Sequence, residues 1–376
     1  MWCLSGLLTG RTVSGFGGAI MTFRVLSIDG GGMRGVYTAA YLDALDRAFS
    51  QRRKLDHGLD IGKAFNLIVG TSTGALMASG LAKGVSPGQM AGLYKTHGSS
   101  IFRKRMPSRL GWDLVSQLVT RSKYLKQGDI ALRRALEDVF QSLTLRQVWE
   151  ERRIALAVPA VNMSSYRSWV FKTPHDEGTN HRDDHYTLVD VCLASSAAPL
   201  FRSLAAIKQP NADGFDVFCD GGLWANNPVI VALVEALRMV GDHDEEVEVF
   251  SLGSCGKPEG EVIGERDLHR GLMEWKLGGE AAKVSIAAQE FAFDMIAKLL
   301  VPRLKNRTRI IRFPSGKIPG ALLQYLDLDE TRPDGIEALM RQARHDADMT
   351  NSGIQQGTAD GQAIQALFND MPPKMA

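Results

Sequence analysis

Cysteine is scarce in this chain of 376 residues, which contains four cysteines, at positions 3, 192, 219 and 255. They are scattered and form no CxxC pair, so the sequence offers neither a disulfide framework nor the spacing of a structural zinc site. We therefore expect reduced thiols in the core, because unpaired cysteine is usually buried.

Net charge and long apolar runs are lacking as well. The formal net charge is only +2, so there is no global field that would attract a nucleic-acid polymer. No stretch reaches the ~18 uncharged apolar residues that a membrane span requires, so we expect a chain that touches a bilayer without crossing it. Residues 1–20 lack the basic and apolar segments of a signal peptide, which favours a disordered or wrongly assigned extension.

The chain does contain short β-rich runs that alternate with longer helical patterns. Strands are predicted at 23–28, 65–69, 154–158, 169–171, 217–219 and 247–252, and helices at 36–49, 75–82 and 188–198. This alternation predicts a parallel sheet covered by helices. Beyond about residue 262 the pattern becomes mainly helical, with helices at 275–300 and 334–347 and one basic strand at 307–313. We expect residues 261–376 to pack on the same domain as residues 21–260.

A GxSxG motif, Gly70-Thr71-Ser72-Thr73-Gly74, follows a predicted strand and precedes a helix of small residues. In a nucleophile elbow the serine occupies a strained strand-to-helix turn, and both glycines are needed because the helix folds back over its strand. The helix also directs its N-terminal amides and positive dipole end at the serine. This placement favours a nucleophile at Ser72 over an ordinary loop of glycine, serine and threonine.

A glycine-rich turn, DGGGMRG at 29–35, follows the first predicted strand. Gly30, Gly32 and Gly35 also satisfy GxGxxG, a dinucleotide-binding pattern that expects an acidic residue ending a second strand about 20 residues later. The sequence there, QRRKLD at 51–56, is polar and not strand-like. Accessible amides of adjacent glycines can instead stabilise an oxyanion, and the elbow that follows favours this alternative.

A third motif, Asp220-Gly221-Gly222, ends the strand predicted at 217–219. An aspartate at the carboxyl end of a strand faces the crevice in which open α/β sheets place their sites. Asp-Gly is also a common turn signal, and this motif alone does not distinguish the two interpretations.

In this order, DGGGMRG (29–35), GTSTG (70–74) and DGGLWANNPV (220–229) resemble the patatin-like phospholipase family. The resemblance spans about residues 23–252 and implies a three-layer α/β/α sandwich with a mostly parallel sheet and a helical C-terminal extension. It further implies a Ser–Asp dyad, with Ser72 as the nucleophile and Asp220 as the base. The oxyanion amides would come from Gly30, Gly31 and Gly32, and the remaining motif glycines are Gly35, Gly70, Gly74, Gly221 and Gly222.

The resemblance also implies the chemistry. Members of the family hydrolyse acyl esters of phospholipids or related lipids and need no metal or organic cofactor. We therefore expect an acyl hydrolase of the phospholipase A or lysophospholipase type. The alternatives are a constitutive esterase of lipid metabolism and a nucleotide-binding module that uses the glycine-rich turn.

Histidine offers no motif for a conventional triad. One cluster combines histidines and aspartates: His175, His181, His185, Asp176, Asp183 and Asp184. Its spacing matches no familiar metal motif, which favours a solvated loop over a metal site. A carboxylate base is chemically sufficient if burial raises its pKa toward the working pH.

Partners are indicated by two further patterns. Residues 99–126 contain seven basic residues against the single acid Asp113, interleaved with apolar side chains, which suits either a phospholipid membrane surface or a solvated amphipathic helix. The segments 170–175 and 189–199 resemble bacterial patatin-like effectors of anti-phage signalling, which a cyclic nucleotide activates. That resemblance implies a cyclic dinucleotide site, with the basic residues at 303–312 as candidates, on a cytoplasmic enzyme that is peripheral at the inner membrane when active. A homo-oligomer is an open alternative to a monomer.

Overall fold

The computed structural model describes residues 22–105, 112–209, 213–241, 243, 245–256, 263–265, 268–271, 275, 279–314 and 316–375, with the backbone alone for 112–119. The strands of this part are β1 (Thr22–Ile28), β2 (Leu67–Gly70), β3 (Ala155–Asn162), β4 (Arg167–Lys172), β5 (Ala205–Lys208), β6 (Phe215–Asp220), β7 (Glu246–Leu252) and β8 (Thr308–Phe313). Its helices are α1 (Gly35–Arg53), α2 (Thr73–Lys83), α3 (Pro87–Ile101), α4 (Trp112–Phe140), α5 (Leu145–Arg152), α6 (Leu188–Ser195), α7 (Gly222–Ala225), α8 (Val229–Val240), α9 (Gly279–Leu300), α10 (Pro333–Gln355) and α11 (Ala359–Asp370). The extension expected at 1–20 lies outside the described residues.

The described strands form one mixed sheet in the order β5-β6-β3-β2-β1-β7-β8, and β4 pairs with the other edge of β3. The central strands β3, β2, β1, β7 and β8 are parallel, whereas β4, β5 and β6 join through antiparallel pairs. The prediction of a mostly parallel sheet is confirmed. The strands predicted at 169–171 and 217–219 correspond to β4 and β6, but the sequence pattern indicated neither their antiparallel direction nor the strand β5.

Alternate residues of the central strands are buried in two different cores. In β1, Val25 packs on the side of α8 and α9, whereas Leu26 and Ile28 pack on the opposite side. That opposite side is covered by α1, α2, α3, α6, α10 and α11. Because successive side chains of a strand point to opposite faces, this pattern produces the three-layer α/β/α sandwich that the motifs implied.

Strand β3 brings two other strands together end to end. Its first residues pair with β2 and its last residues with β6, both on the edge opposite β4. Since β2 is parallel and β6 antiparallel to β3, the two strands run toward each other along this edge. Val69 pairs with Ala157 and Asp220 with Ala160, so the carboxyl ends of β2 and β6 converge.

Asp220 reaches the site by a different strand geometry from the one that the sequence suggested. The sequence suggested a carboxyl end among parallel strands, but β6 is antiparallel to its neighbours β3 and β5. Asp220 reaches the carboxyl ends of the parallel strands because β6 points at β2 from the opposite direction.

The turn between β2 and α2 is a tight elbow. Ser72 has φ +56° and ψ −122°, a backbone conformation that residues other than glycine rarely adopt. A Cβ at Gly70 would overlap the carbonyl oxygen of Gly74, and a Cβ at Gly74 would overlap the carbonyl oxygen of Ile28 in β1. Both glycines therefore allow α2 to fold back against the sheet, as the GxSxG spacing predicts.

The C-terminal segment completes the sheet and one helical layer. β8 pairs in parallel with β7 and forms an edge of the sheet. α10 packs along α1, where the Tyr37 hydroxyl donates to Asp346 at 2.5 Å and the hydroxyls of Tyr41 and Thr350 lie 2.7 Å apart. This segment therefore contributes a strand as well as helices.

Two expectations about composition can be compared with the described residues. Cys192, Cys219 and Cys255 are buried free thiols, as expected, and Cys3 lies outside the described residues. Among the described helices, none combines the length and apolar character needed to span a membrane.

The elbow packing generates a stability prediction. Gly74→Ala should lower the free energy of unfolding by about 1–3 kcal/mol or more, because the added methyl overlaps a carbonyl oxygen of β1. Gly92→Ala is the matched control, since Gly92 is exposed on α3 with nothing within 4 Å of an added Cβ. That substitution should raise the free energy of unfolding by about 0.5–1 kcal/mol. Equal urea midpoints for the two variants would contradict the packed elbow.

Candidate active site

Ser72 and Asp220 meet at the convergence of β2 and β6. The Ser72 hydroxyl donates to Asp220 Oδ2 at 2.8 Å, and both residues are buried. Their positions are 148 residues apart in the sequence. The structure therefore brings together the two side chains that the second and third motifs singled out.

The Asp220 carboxylate is held in a polar cradle within an otherwise apolar region. Its Oδ1 accepts a hydrogen bond of 2.6 Å from the Gly222 amide, and its own amide donates to the carbonyl of Ala197 at 3.1 Å. Burial raises the pKa of Asp220 to about 6, against the lowering effect of the Gly222 amide, the Ser72 hydroxyl and the Arg202 cation. The carboxylate is consequently ionised at neutral pH but close to its titration range.

Arg202 is a charged neighbour of Asp220 that the sequence did not single out. Its side chain is only 3% exposed, and its Nη2 donates to Asp129 of α4 at 3.0 Å. Its Nε is buried and has no hydrogen-bond partner among the described residues. Arg202 directly follows the segment SSAAPLF at 195–201, but no pattern in the sequence signals that it turns inward to the site.

Ser195, at the end of α6, connects the Ser72 elbow to β3 by hydrogen bonds. Its hydroxyl accepts from the Ser72 amide at 2.9 Å and donates to the carbonyl of Pro159 in β3 at 2.6 Å. The Gly221 amide donates to the Ser195 carbonyl at 3.2 Å. One fully buried residue therefore connects the Ser72 and Asp220 motifs to β3, the strand between them. Its buried hydroxyl is hydrogen-bonded, as buried polar groups in proteins generally are.

The glycine-rich turn lies directly against Ser72. A Cβ at Gly30 would come within 3.2 Å of the Ser72 Cβ. The Gly30 amide donates to the carbonyl of Asn226 at 2.9 Å, and the Gly31 amide donates to the Thr73 hydroxyl at 3.1 Å. The Gly32 amide donates to none of the described residues.

The same turn is anchored by charge and by side-chain hydrogen bonds. Asp29 forms an ion pair with Arg312 of β8, and Arg312 also donates to the Ser251 hydroxyl at 2.8 Å. The Ser254 hydroxyl donates to the Gly30 carbonyl at 2.7 Å. Gly35, the last glycine of the turn, begins α1 against Tyr94. The second strand of the fold ends in the serine elbow rather than in the carboxylate that a dinucleotide site expects.

A cavity of about 950 Å³ opens onto the Ser72–Asp220 pair. Much of its wall is formed by apolar side chains, among them Leu76, Leu93, Ile101, Phe102, Leu132, Phe201 and Ile286. The volume lies in the range of sites for organic ligands, ~300–1,000 Å³. An apolar chamber that ends in one hydroxyl–carboxylate pair suits a long aliphatic substrate.

The histidine and aspartate cluster is only partly the solvated loop that was predicted. His181 is exposed, with its Nδ1 2.9 Å from Asp184, and His185 is exposed as well. The side chain of His175 is instead fully buried, with Nδ1 2.8 Å from the Thr173 hydroxyl, and Asp183 is buried beside Arg182. Nothing in the local sequence marks these two as core positions. No group of three or more potential ligands is close enough to hold a metal ion within the described part of the chain.

The family relationship agrees with this geometry. Residues 26–233 match the family described as patatin-like phospholipase. A cGAMP-activated phospholipase of Pseudomonas aeruginosa is 34% identical over 278 residues, which cover 73% of this chain and 74% of that protein. A second cGAMP-activated phospholipase, from Vibrio cholerae, is 32% identical over 241 residues, which cover 62% of this chain and 64% of that protein. A cUMP-AMP-activated phospholipase of Escherichia coli is 26% identical over 63% of this chain and 66% of that protein. The chain belongs to the patatin-like phospholipase family.

Proposed function

We propose that Ser72 is the nucleophile and Asp220 the general base of a lipid acyl hydrolase. Family membership makes the chain a lipid-ester hydrolase. The observation that carries the assignment of residues is the 2.8 Å hydrogen bond from Ser72 Oγ to Asp220 Oδ2 inside the cavity. A hydroxyl that already donates to a buried carboxylate needs no histidine to lose its proton.

The reaction proceeds in two halves. Asp220 accepts the Ser72 proton as Ser72 Oγ attacks the acyl carbonyl, and the C–O bond to the lipid alcohol then breaks. The alcohol leaves with the proton held by Asp220, and the fatty acyl group remains esterified to Ser72. Water then gives its proton to Asp220 and attacks the acyl carbon of the acyl-enzyme. As the bond from this carbon to Ser72 Oγ breaks, Asp220 returns the proton to Ser72 Oγ, which releases the fatty acid and regenerates both residues.

The oxyanion donors are assigned to Gly31 and Gly32. The Gly32 amide is unpaired among the described residues, and the Gly31 amide meets a hydroxyl that can yield to a stronger, negatively charged acceptor. The Gly30 amide is engaged with the Asn226 carbonyl, so Gly30 instead fixes the turn against the site. We therefore propose two oxyanion donors where the family resemblance implied three. The positive end of the α2 dipole supports the same developing charge.

The substrate we propose is the acyl ester of a membrane phospholipid. The apolar wall of the cavity binds an acyl chain, and the polar residues Arg34 and Lys283 also border it, where a headgroup can be placed. The enzyme would then act as a phospholipase A or lysophospholipase that is peripheral to the membrane.

We also propose that a cyclic dinucleotide activates this hydrolysis. The support is that three relatives are described as cGAMP-activated or cUMP-AMP-activated phospholipases. A pocket of about 480 Å³ at the start of β8 is lined by Lys305, Arg307 and Arg309 together with the acid Glu246, which lies 3.9 Å from Arg307. Arg309 pairs with Glu248, so a phosphate ligand would bind these cations in competition with the two carboxylates. The alternative is a constitutive lipid-metabolising esterase that lacks this control.

Loss of the dyad should abolish turnover. Ser72→Ala removes the atom that forms the acyl-enzyme, so kcat for a soluble fatty-acyl ester should fall on the order of 10⁴-fold or more. Asp220→Asn removes the proton acceptor and should cost on the order of 10²–10⁴-fold. Ser203→Ala, a control outside both motifs, should keep the wild-type turnover. Retention of wild-type turnover by either dyad variant would refute the assignment.

The pKa of Asp220 should govern the acid side of the pH profile. Asp220 accepts a proton only when ionised, so kcat/KM should fall as pH drops through about 6. The Arg202 cation lowers the pKa of Asp220, so Arg202→Met should move this decline to higher pH, whereas Arg202→Lys retains the charge. An acid limb at the same pH in all three proteins would contradict this electrostatic coupling.

Activation should be visible as a dependence of vesicle hydrolysis on nucleotide. We expect cGAMP or cUMP-AMP to raise the rate of fatty-acid release from phospholipid vesicles on the order of 10-fold or more, an effect of a size that allosteric couplings reach. Arg307→Ala should weaken the response, whereas Arg341→Ala, an exposed arginine on α10, should not. Full activity without any nucleotide would favour the constitutive alternative.

A further inference from the structure

The mouth of the catalytic cavity is bordered by exposed apolar side chains. Five large residues that line the cavity are between 43% and 66% exposed: Leu223, Ile263, Val284, Phe291 and Leu323. Apolar side chains gathered around an opening are unlike the isolated exposed residues found over most protein surfaces. The entrance therefore combines access to Ser72 with a surface that water solvates poorly.

Helix α9 extends this surface away from the cavity. Glu290 and Ala297 are its buried residues, so the helix packs by one narrow stripe. Phe291, Met295 and Leu299 follow each other at intervals of four residues, and they are 66%, 46% and 57% exposed. Residues four apart lie on the same face of a helix. The apolar rim thus continues as a row along the outer face of α9.

Charge along α9 is also asymmetric. The lysines Lys283 and Lys298 are 43% and 57% exposed, whereas their ion-pair partners on the same helix, Glu280 and Asp294, are only 16% and 23% exposed. Lys283 also pairs with Asp327, which lies outside the helix and is 45% exposed. The outer part of α9 therefore exposes its lysines more than its own acids beside the apolar row. Cations next to apolar side chains match an anionic lipid surface, which attracts the first and solvates the second.

We infer that the outer face of α9 and the apolar rim form a docking surface for an anionic phospholipid bilayer. The inference rests on the proposed lipid hydrolysis and names the surface through which substrate arrives. A second protein seated on the rim would cover the entrance to Ser72, whereas a bilayer supplies acyl chains through it. The geometry places the cavity mouth against the lipid and lets a substrate move from membrane to site without crossing water.

The basic segment at 99–126 is a weaker candidate for this contact. Two of its described cations are directed at the protein: Arg105 pairs with Asp327 and Glu330, and Arg121 donates to the carbonyls of Leu200 and Lys104. Residues 106–111 and the side chains of 112–119 lie outside the described residues.

The test uses residues of α9 that do not line the cavity, in a Ser72→Ala background so that binding is measured without hydrolysis. Met295→Ser/Leu299→Ser should weaken co-sedimentation with vesicles of equimolar phosphatidylglycerol and phosphatidylethanolamine. Each substitution should lower the affinity for the vesicles on the order of 10-fold, and the double variant therefore on the order of 100-fold. Met349→Ser is the matched control, because Met349 is 58% exposed on α10 and is not part of the cavity wall. It should bind as the parent protein does, within about twofold.

A second measurement does not depend on the stability of the serine variants. Met295→Cys, in a Cys3→Ser background, is labelled with an environment-sensitive fluorophore, since the described cysteines are buried. Vesicles should shift its emission to the blue and leave the emission of labelled Met349→Cys unchanged. Equal shifts at both sites, or unchanged vesicle binding by Met295→Ser/Leu299→Ser, would overturn the docking surface.

The two proposals fail in different ways. With Ser72 intact, Met295→Ser/Leu299→Ser should hydrolyse a soluble ester at the wild-type rate and vesicles on the order of 10-fold or more slowly. No ester hydrolysis by the wild type, either with or without cGAMP, would refute the enzyme, whereas equal loss on both substrates would refute only the docking surface. If the two substitutions instead dissociate a dimer seen by light scattering and leave vesicle binding intact, the row binds a second copy and the lipid inference is wrong.

Discussion

The site depends on the contact between two strand ends that approach each other along one edge of β3. β2 delivers Ser72 from one direction and β6 delivers Asp220 from the other, so a hydroxyl and a carboxylate meet at 2.8 Å. Neither strand could be shifted by one residue without turning its side chains to the opposite face. Gly70, Gly74 and Ser195 serve this same contact, because they fix the elbow against the sheet. The glycine-rich turn then needs only to lie beside an already assembled pair.

The chemistry that we assign follows from burial of that pair. In water a carboxylate is a poor base for an alcohol, and here loss of hydration raises the pKa of Asp220 to about 6. The Gly222 amide and Arg202 oppose the shift, so the group stays ionised near neutral pH while keeping some basicity. Arg202 is held in turn by Asp129 of α4, which connects the electrostatics of the base to a helix outside the motifs. A change at Asp129 of α4 would therefore alter the pKa of Asp220, because it would change the position of the Arg202 cation.

Much of this architecture was accessible from the sequence, because motifs and hydrophobic periodicity are local signals. The central parallel strands, α1, α2 and the long helix α9 were predicted close to their observed bounds. The start of α10 was predicted correctly, but the helix continues beyond the predicted end at 347 to Gln355, and α3, α4, α5, α8 and α11 were not predicted with bounds. The antiparallel direction of β6 was also missed, since strand direction depends on partners distant in sequence. Arg202 and Ser195 carry no spacing signal, and the buried position of His175 looked like part of a polar loop. The exposed row on α9 has helical periodicity, but periodicity alone does not tell which face lacks a partner.

The central claim is that Ser72 forms the covalent acyl intermediate. Several other serines lie near the site, including Ser195, Ser196 and Ser254, so the identity of the attacking oxygen has to be mapped directly. A fluorophosphonate that mimics the acyl group, followed by peptide mass spectrometry, gives this information. The account predicts one adduct, on the peptide that contains Ser72, and no adduct in Ser72→Ala. An adduct on any other serine, or undiminished labelling of Ser72→Ala, would contradict it.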